Sequence, residues 1–138
     1  MIKTQKHAAP ELTEKQNLVM ETLAKSKRPL GAYSILDALR DDGFKAPLQV
    51  YRTLDQLITL GMVHRLESLN AYTVCQLDSC ASRNSQSASF VICEMCGLVE
   101  ELAHSNVEGI VSRLLTNFDF RPTKTAIEIR GVCASCQS

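Results

Sequence analysis

Two Cys-x-x-Cys pairs, Cys93/Cys96 in FVICEMCGLVEEL and Cys133/Cys136 in RGVCASCQS, bracket the C-terminal part of this chain. One such turn aims two thiolates at a point, and a second turn can close a tetrahedral site around it. Disulfides or a redox couple are the competing uses, so the compartment decides between them. No apolar run approaches the length that spans a bilayer, and the first residues, MIKTQKHAAPELT, lack the apolar core of a signal peptide. The chain is therefore expected in the cytoplasm, off the membrane, where thiols stay reduced. Thioredoxin-type chemistry needs a pair that opens a helix in a βαβ unit, whereas here the first pair stands between strand-like runs. The resulting expectation is a closed structural zinc site made by Cys93, Cys96, Cys133 and Cys136.

With 138 residues the chain makes one domain or two very small ones. Each half alone has little core, and structural zinc, with an apparent binding free energy of about 10–16 kcal/mol, is a staple of the required strength. The formal net charge is zero and gives no global signal for nucleic acid. Residues 1–72 carry ten Lys/Arg against eight Asp/Glu, and residues 73–138 carry five against seven, so the basic bias lies in the N-terminal half.

That half reads as three helices and a hairpin. In LTEKQNLVMETLAKSKRPLG, Thr13 and Gln16 occupy the capping-box positions before an inward face of Leu18, Val19, Thr22 and Leu23. AYSILDALRDDG is a short second helix that Gly43 stops, and APLQVYRTLDQLITLG is a third, with Pro47 in its first turn and Gly61 at its end. Val63–Glu67 and Ala71–Val74 then alternate as two strands about a turn. Helices followed by a hairpin are the order of a winged helix, with a reading helix and a wing that lies on the duplex backbone. The Ser-rich run at 76–89 is expected to be a hinge or loop. Beyond it, strand-like SFVIC, LVEEL and TAIEIRGV surround an amphipathic helix with an apolar stripe of Val107, Ile110, Val111, Leu114, Leu115 and Phe118. Ser105 and Glu108 are placed as its capping box. The expected class is α+β: a winged helix over 1–75, a hinge over 76–89 and a zinc-stapled β-β-α-β unit over 90–138.

On the third helix Val50, Leu54, Leu57 and Ile58 point inward, and the opposite stripe is Gln49, Arg52, Thr53 and Gln56. One cation and three neutral hydrogen-bonding groups suit phosphates and base edges: Arg52 could pair with guanine, and Gln49 or Gln56 with adenine. The plainer alternative is a solvated helix face that lacks acids. Outside the Cys pairs, the ligand-type side chains are His7, His64, Cys75, Cys80, Glu101 and His104. A metal held by His64, Cys75 and Glu101 would bridge both halves, although each residue alone reads sooner as a packed or solvated side chain. No nucleophile–base arrangement or phosphate-cradling loop argues for an enzyme or a small-molecule substrate. An open catalytic zinc on His64, Cys75 and Glu101 is the one enzymatic alternative.

AYSILDALR, PLQVYRTLDQLITLGMVHRLES, FVICEMCGLVEE and GVCASC together resemble the ferric-uptake-regulator (Fur) family of metal-dependent repressors, over about residues 12–136. The HRLESLNAY…C run is most similar to its zinc-uptake (Zur) branch. The resemblance implies a homodimer joined by its β-β-α-β units. It implies binding to palindromic operator DNA and repression of zinc-uptake genes when zinc is plentiful. It also implies two zinc ions per chain, one structural and one regulatory. Base contacts fall to Tyr33 and Arg52, with Tyr51 either reaching DNA or packing inward. The regulatory ligands become His64, Cys75 and Glu101. The branch usually has a His shortly before the segment that here reads SASF, and this chain has none between His64 and His104. Cys80 is the candidate for the fourth position, against the reading of an ordinary loop thiol, with His104 or water as substitutes. A thiolate in the set favours zinc over iron, the metal of the alternative regulator in the same family. A second alternative is a thiol redox sensor that joins Cys75 to Cys80.

Overall fold

The computed structural model describes residues 11–76 and 88–137, the side chain of His104 excepted. Helix α1, Glu14–Lys25, opens as its sequence directs. The Gln16 N–H donates to Thr13 Oγ1 at 3.1 Å, and the Thr13 N–H donates to Gln16 Oε1 at 3.0 Å. Both bonds satisfy amides that the first turn leaves without helical partners. Helix α2, Ala32–Leu39, runs into a 3-10 turn at Arg40–Asp42, where Gly43 at φ 105° reverses the chain. Helix α3, Pro47–Thr59, starts on a proline whose missing N–H costs nothing at that position. The three helices close on Val19, Ile35, Phe44, Val50, Leu54 and Leu57, each fully buried.

Strands β1 (Val63–Leu66) and β2 (Ala71–Val74) pair antiparallel, with His64 opposite Thr73. A bridge between Leu30 and Tyr72 seats this hairpin on the chain between α1 and α2. The result is a winged helix.

In the C-terminal half, β3 (Ala88–Cys93) is central, with β4 (Val99–Glu101) antiparallel on one side and β5 (Ala126–Gly131) parallel on the other. A parallel neighbour requires a crossover, which helix α4, His104–Leu114, supplies. The α+β reading and the β-β-α-β order therefore hold. Two details differ. Strand β3 begins at Ala88, inside the expected hinge. Helix α4 begins at His104 on Ala103, with no side-chain cap, so Ser105 lies within the first turn instead of in front of it. There the Ala103 carbonyl accepts from the Asn106 and Val107 amides, which start the helix one residue before the expected cap.

The apolar stripe of α4 is only partly covered by its own chain: Val107 is buried, while Ile110 is 57% and Leu114 68% exposed. Leu66, the last residue of β1, is buried with Phe90, Ile92 and Val99 instead of with the helices. The wing thus packs directly on the C-terminal sheet. Among the described residues no helix is long and apolar enough to cross a membrane.

Candidate metal centres and nucleic-acid interface

The parallel register of β3 and β5 sets Cys93 opposite Gly131. Both Cys-x-x-Cys turns therefore leave the sheet at the same end, and the four sulfurs lie within 4.8 Å of one another. Cys96 Sγ and Cys133 Sγ are 3.8 Å apart. Tetrahedral zinc with bonds of about 2.3 Å requires sulfur separations of about 3.8 Å, so the donors fit that ion. The electrostatics agree. The Cys133 N–H (3.3 Å) and the Cys96 N–H (3.5 Å) donate to Cys93 Sγ. These bonds lower the Cys93 pKa to about 6. Hydrogen bonding among the neighbouring sulfurs, first to Cys133 and then to Cys93, pushes Cys136 up to about 12. Four thiolates so close together cannot all ionise unless a cation shares their charge.

The second cluster is His64 on β1, Cys75 just past β2 and Glu101 at the end of β4, with ligand atoms within 4.8 Å. His64 Nε2 stands 3.1 Å from Glu101 Oε2, and the two side chains are only 4% and 3% exposed. The ring of Phe90 meets the imidazole edge-on at 5.6 Å between centroids and fixes its plane. The other carboxylate oxygen, Glu101 Oε1, accepts from the Gln76 N–H at 2.9 Å, and Gln76 Oε1 accepts from the Glu101 N–H at 2.8 Å. Cys75 is placed by its own N–H, which donates to the Met62 carbonyl at 2.9 Å. Its sulfur is disulfide-bonded, so reduction must precede any metal ligation through it. A buried imidazole, a thiol and a carboxylate aimed at one point form a donor set suited to zinc. Cys80 and His7 lie outside the described residues, as does the side chain of His104.

On the helices, Tyr33 is 65% exposed at the start of α2, and Arg52 is exposed on α3. Tyr51 is half-buried and packs against the helical core. The rest of the expected stripe is less uniform. Thr53 is 5% exposed, and its hydroxyl donates to the Gln49 carbonyl at 2.9 Å. It borders Leu54 and belongs to the inner face, with its polar atom satisfied one turn back. Gln49 Oε1 accepts from the Lys45 and Ala46 amides and so caps α3. Gln56 is exposed, and its Oε1 accepts from Gln16 Nε2 at 2.9 Å.

Sequence reasoning missed Gln76, which orients the Glu101 carboxylate, because a glutamine at the edge of a polar run carries no pattern. It also missed Arg28 and Glu128, which cross between the two halves. Arg28 lies in a loop and Glu128 on the polar alternation of a strand, and both read as solvated charges.

Comparison with known proteins brings these features together. The model of the ferric uptake regulator family matches residues 8–130. The zinc uptake regulation protein of Escherichia coli (strain K12) is 34% identical over 126 residues, which are 91% of this chain and 72% of that protein. A crystal structure described as holo XcZur superposes with a TM-score of 0.80 at 32% identity, covering 96% of this chain and 90% of the other. A zinc uptake regulator complexed with zinc and DNA gives 0.79 at 33% identity, over 92% and 83% of the two chains.

Proposed function

The chain belongs to the ferric uptake regulator family, and from that premise we propose that it is a zinc-responsive repressor. It binds palindromic operator DNA as a homodimer and governs genes of zinc uptake. The observation that carries this reading is the second cluster. Its ligands come from a wing strand, from the segment just past the wing and from the C-terminal sheet. No other place among the described residues joins a buried imidazole, a sulfur and a carboxylate across the two halves.

The division of labour follows from where the ligands sit. Cys93, Cys96, Cys133 and Cys136 all belong to one small unit and would hold zinc as a structural ion. His64, Cys75 and Glu101 would hold the regulatory zinc, with Cys80 as the fourth donor. Zinc there would supply a bond between the wing and the sheet, and ligation would weaken at acid pH because the donors must give up protons. The winged-helix unit ends at 75, and the dimer-forming unit starts with β3. The exposed Ile110 and Leu114 on α4, with Phe118 just beyond its end, support a dimer, since neighbouring exposed apolar side chains call for cover. Tyr33 and Arg52 reach bases. Gln56 and the amide of Gln49 flank them, Tyr51 supports the helix from behind, and Thr53 holds it together.

Joining wing to sheet fixes how the two reading helices of a dimer face a duplex. A coupling of about 1–3 kcal/mol changes operator affinity roughly 5–150-fold, and by reciprocity DNA tightens zinc binding to the same degree. The test is a DNA-binding titration of the reduced protein at buffered free zinc, using a duplex selected from a random pool by the zinc-loaded form. Affinity should rise with zinc occupancy in that range. Equal affinity in chelator and in zinc would refute the reading.

A further inference from the structure

Each half of the chain sends one charged side chain to the backbone of a turn in the other half. Glu128, on β5, accepts from the Glu67 N–H at 2.6 Å and from the Ser68 N–H at 2.8 Å, both in the turn of the wing. Arg28, between α1 and α2, donates from Nε to the Cys96 carbonyl at 2.5 Å, within the first Cys-x-x-Cys turn. That approach depends on Gly97. A Cβ there would come within 2.8 Å of Arg28 Cδ and Nε, and the backbone at φ 81° disfavours a side chain anyway. Beneath the wing contact lies Leu66, fully buried among Phe90, Ile92 and Val99.

These contacts bear on the same equilibrium as the second metal cluster, at different points. The cluster sits at the strand end of the wing, Glu128 at its turn, and Arg28 on the loop that the Leu30–Tyr72 bridge ties to the wing. All three can be made together only when the wing lies on the sheet. Hydrogen bonds to an ionised group are stronger than neutral ones, and both contacts use charged donors or acceptors.

We infer that Arg28 and Glu128 are positioning residues that clasp the winged helix to the C-terminal unit and thereby set the zinc concentration at which the protein binds DNA. The inference rests on the function proposed above. The clasp raises the fraction of molecules already in the arrangement that the regulatory site requires, and less free zinc then suffices. Without it the same ligands must close the molecule unaided.

The experiment is the buffered-zinc titration on the same selected duplex, with full-length reduced protein. The variants are Arg28→Ala, Arg28→Lys, Glu128→Ala and Glu128→Gln. Both alanine variants should raise the zinc midpoint for DNA binding about three- to ten-fold, below the full value of a charge-assisted hydrogen bond because the contacts are solvent-exposed. They should keep the wild-type dimer mass and structural zinc. Arg28→Lys and Glu128→Gln, which retain a donor and an acceptor, should fall between alanine and wild type. A merely structural role would lower thermal stability without this graded shift. Amide exchange supplies a second measurement: the Glu67 and Ser68 amides should exchange faster in Glu128→Ala than in wild type. Unchanged midpoints in both alanine variants, beside a zinc-dependent wild type, would overturn the clasp alone. A wild type that ignores zinc would overturn the proposed function and the clasp with it.

Discussion

The two candidate metal centres differ less in their ligands than in where the ligands come from. The four cysteines are contributed by the two ends of one small sheet unit, and the register of β3 with β5 brings them together without help from the winged helix. His64, Cys75 and Glu101 meet only because the wing packs on that sheet, with Leu66 buried in its core. A site built within a unit stabilises the unit. A site built between two units reports how they are placed. The electrostatics follow the same line: backbone amides of the unit itself lower the Cys93 pKa to about 6, which favours its thiolate. The second site instead pairs His64 of the wing with Glu101 of the sheet.

The largest expected effect breaks the first site. Cys96→Ser should unfold the C-terminal half, since about 10–16 kcal/mol of apparent zinc binding is tied to its folding. Circular dichroism and dimer mass would show the loss, and a dimeric variant with wild-type secondary structure would erase the contrast between the centres. Next comes Cys75→Ser. It should leave structural zinc and the dimer intact and abolish the roughly 5–150-fold gain in operator affinity on zinc addition. A zinc response that survives there would remove Cys75 from the regulatory set.

Gln76→Ala should have a smaller effect. It frees Glu101 Oε1 from its orienting partner, and loss of such a partner weakens metal binding by about 10–100-fold. Zinc competition with a chromophoric chelator reads it, and an unaltered affinity would mean that Glu101 needs no such support.

The smallest effect concerns pH. Partial burial raises the Glu128 pKa, but the bonds from Ser68 and Glu67 and the charge of Arg130 outweigh it, so the folded value lies below the ordinary one. The stabilisation is therefore present above the ordinary glutamate pKa of about 4.3 and is lost as pH falls through the lower folded value. The difference in thermal midpoint between wild type and Glu128→Gln should be constant near neutrality and vanish in acid. A difference that persists below the folded pKa would assign the contact to shape instead of charge.

How much of this could be read from the chain depended on whether the signal was local. Thr13 and Gln16 cap α1 through bonds three residues apart, and Pro47 starts α3 by its own ring geometry. The Cys pairs announce their site because each turn is itself a ligand motif. Thr53 was misplaced because it stands at the border of the inner face, where one residue of helix rotation decides burial. Ile110 and Leu114 follow the apolar period but stay exposed in the single chain. The contacts of Arg28, Gln76 and Glu128 join distant segments, and no spacing in the sequence encodes them.

The decisive measurement counts zinc per chain in the reduced protein before and after a mild chelator, with operator binding followed in the same samples. The account predicts two ions: one retained with the fold, the other removed together with high-affinity DNA binding and restored with it. Removal of the weaker ion with no change in DNA affinity would contradict it.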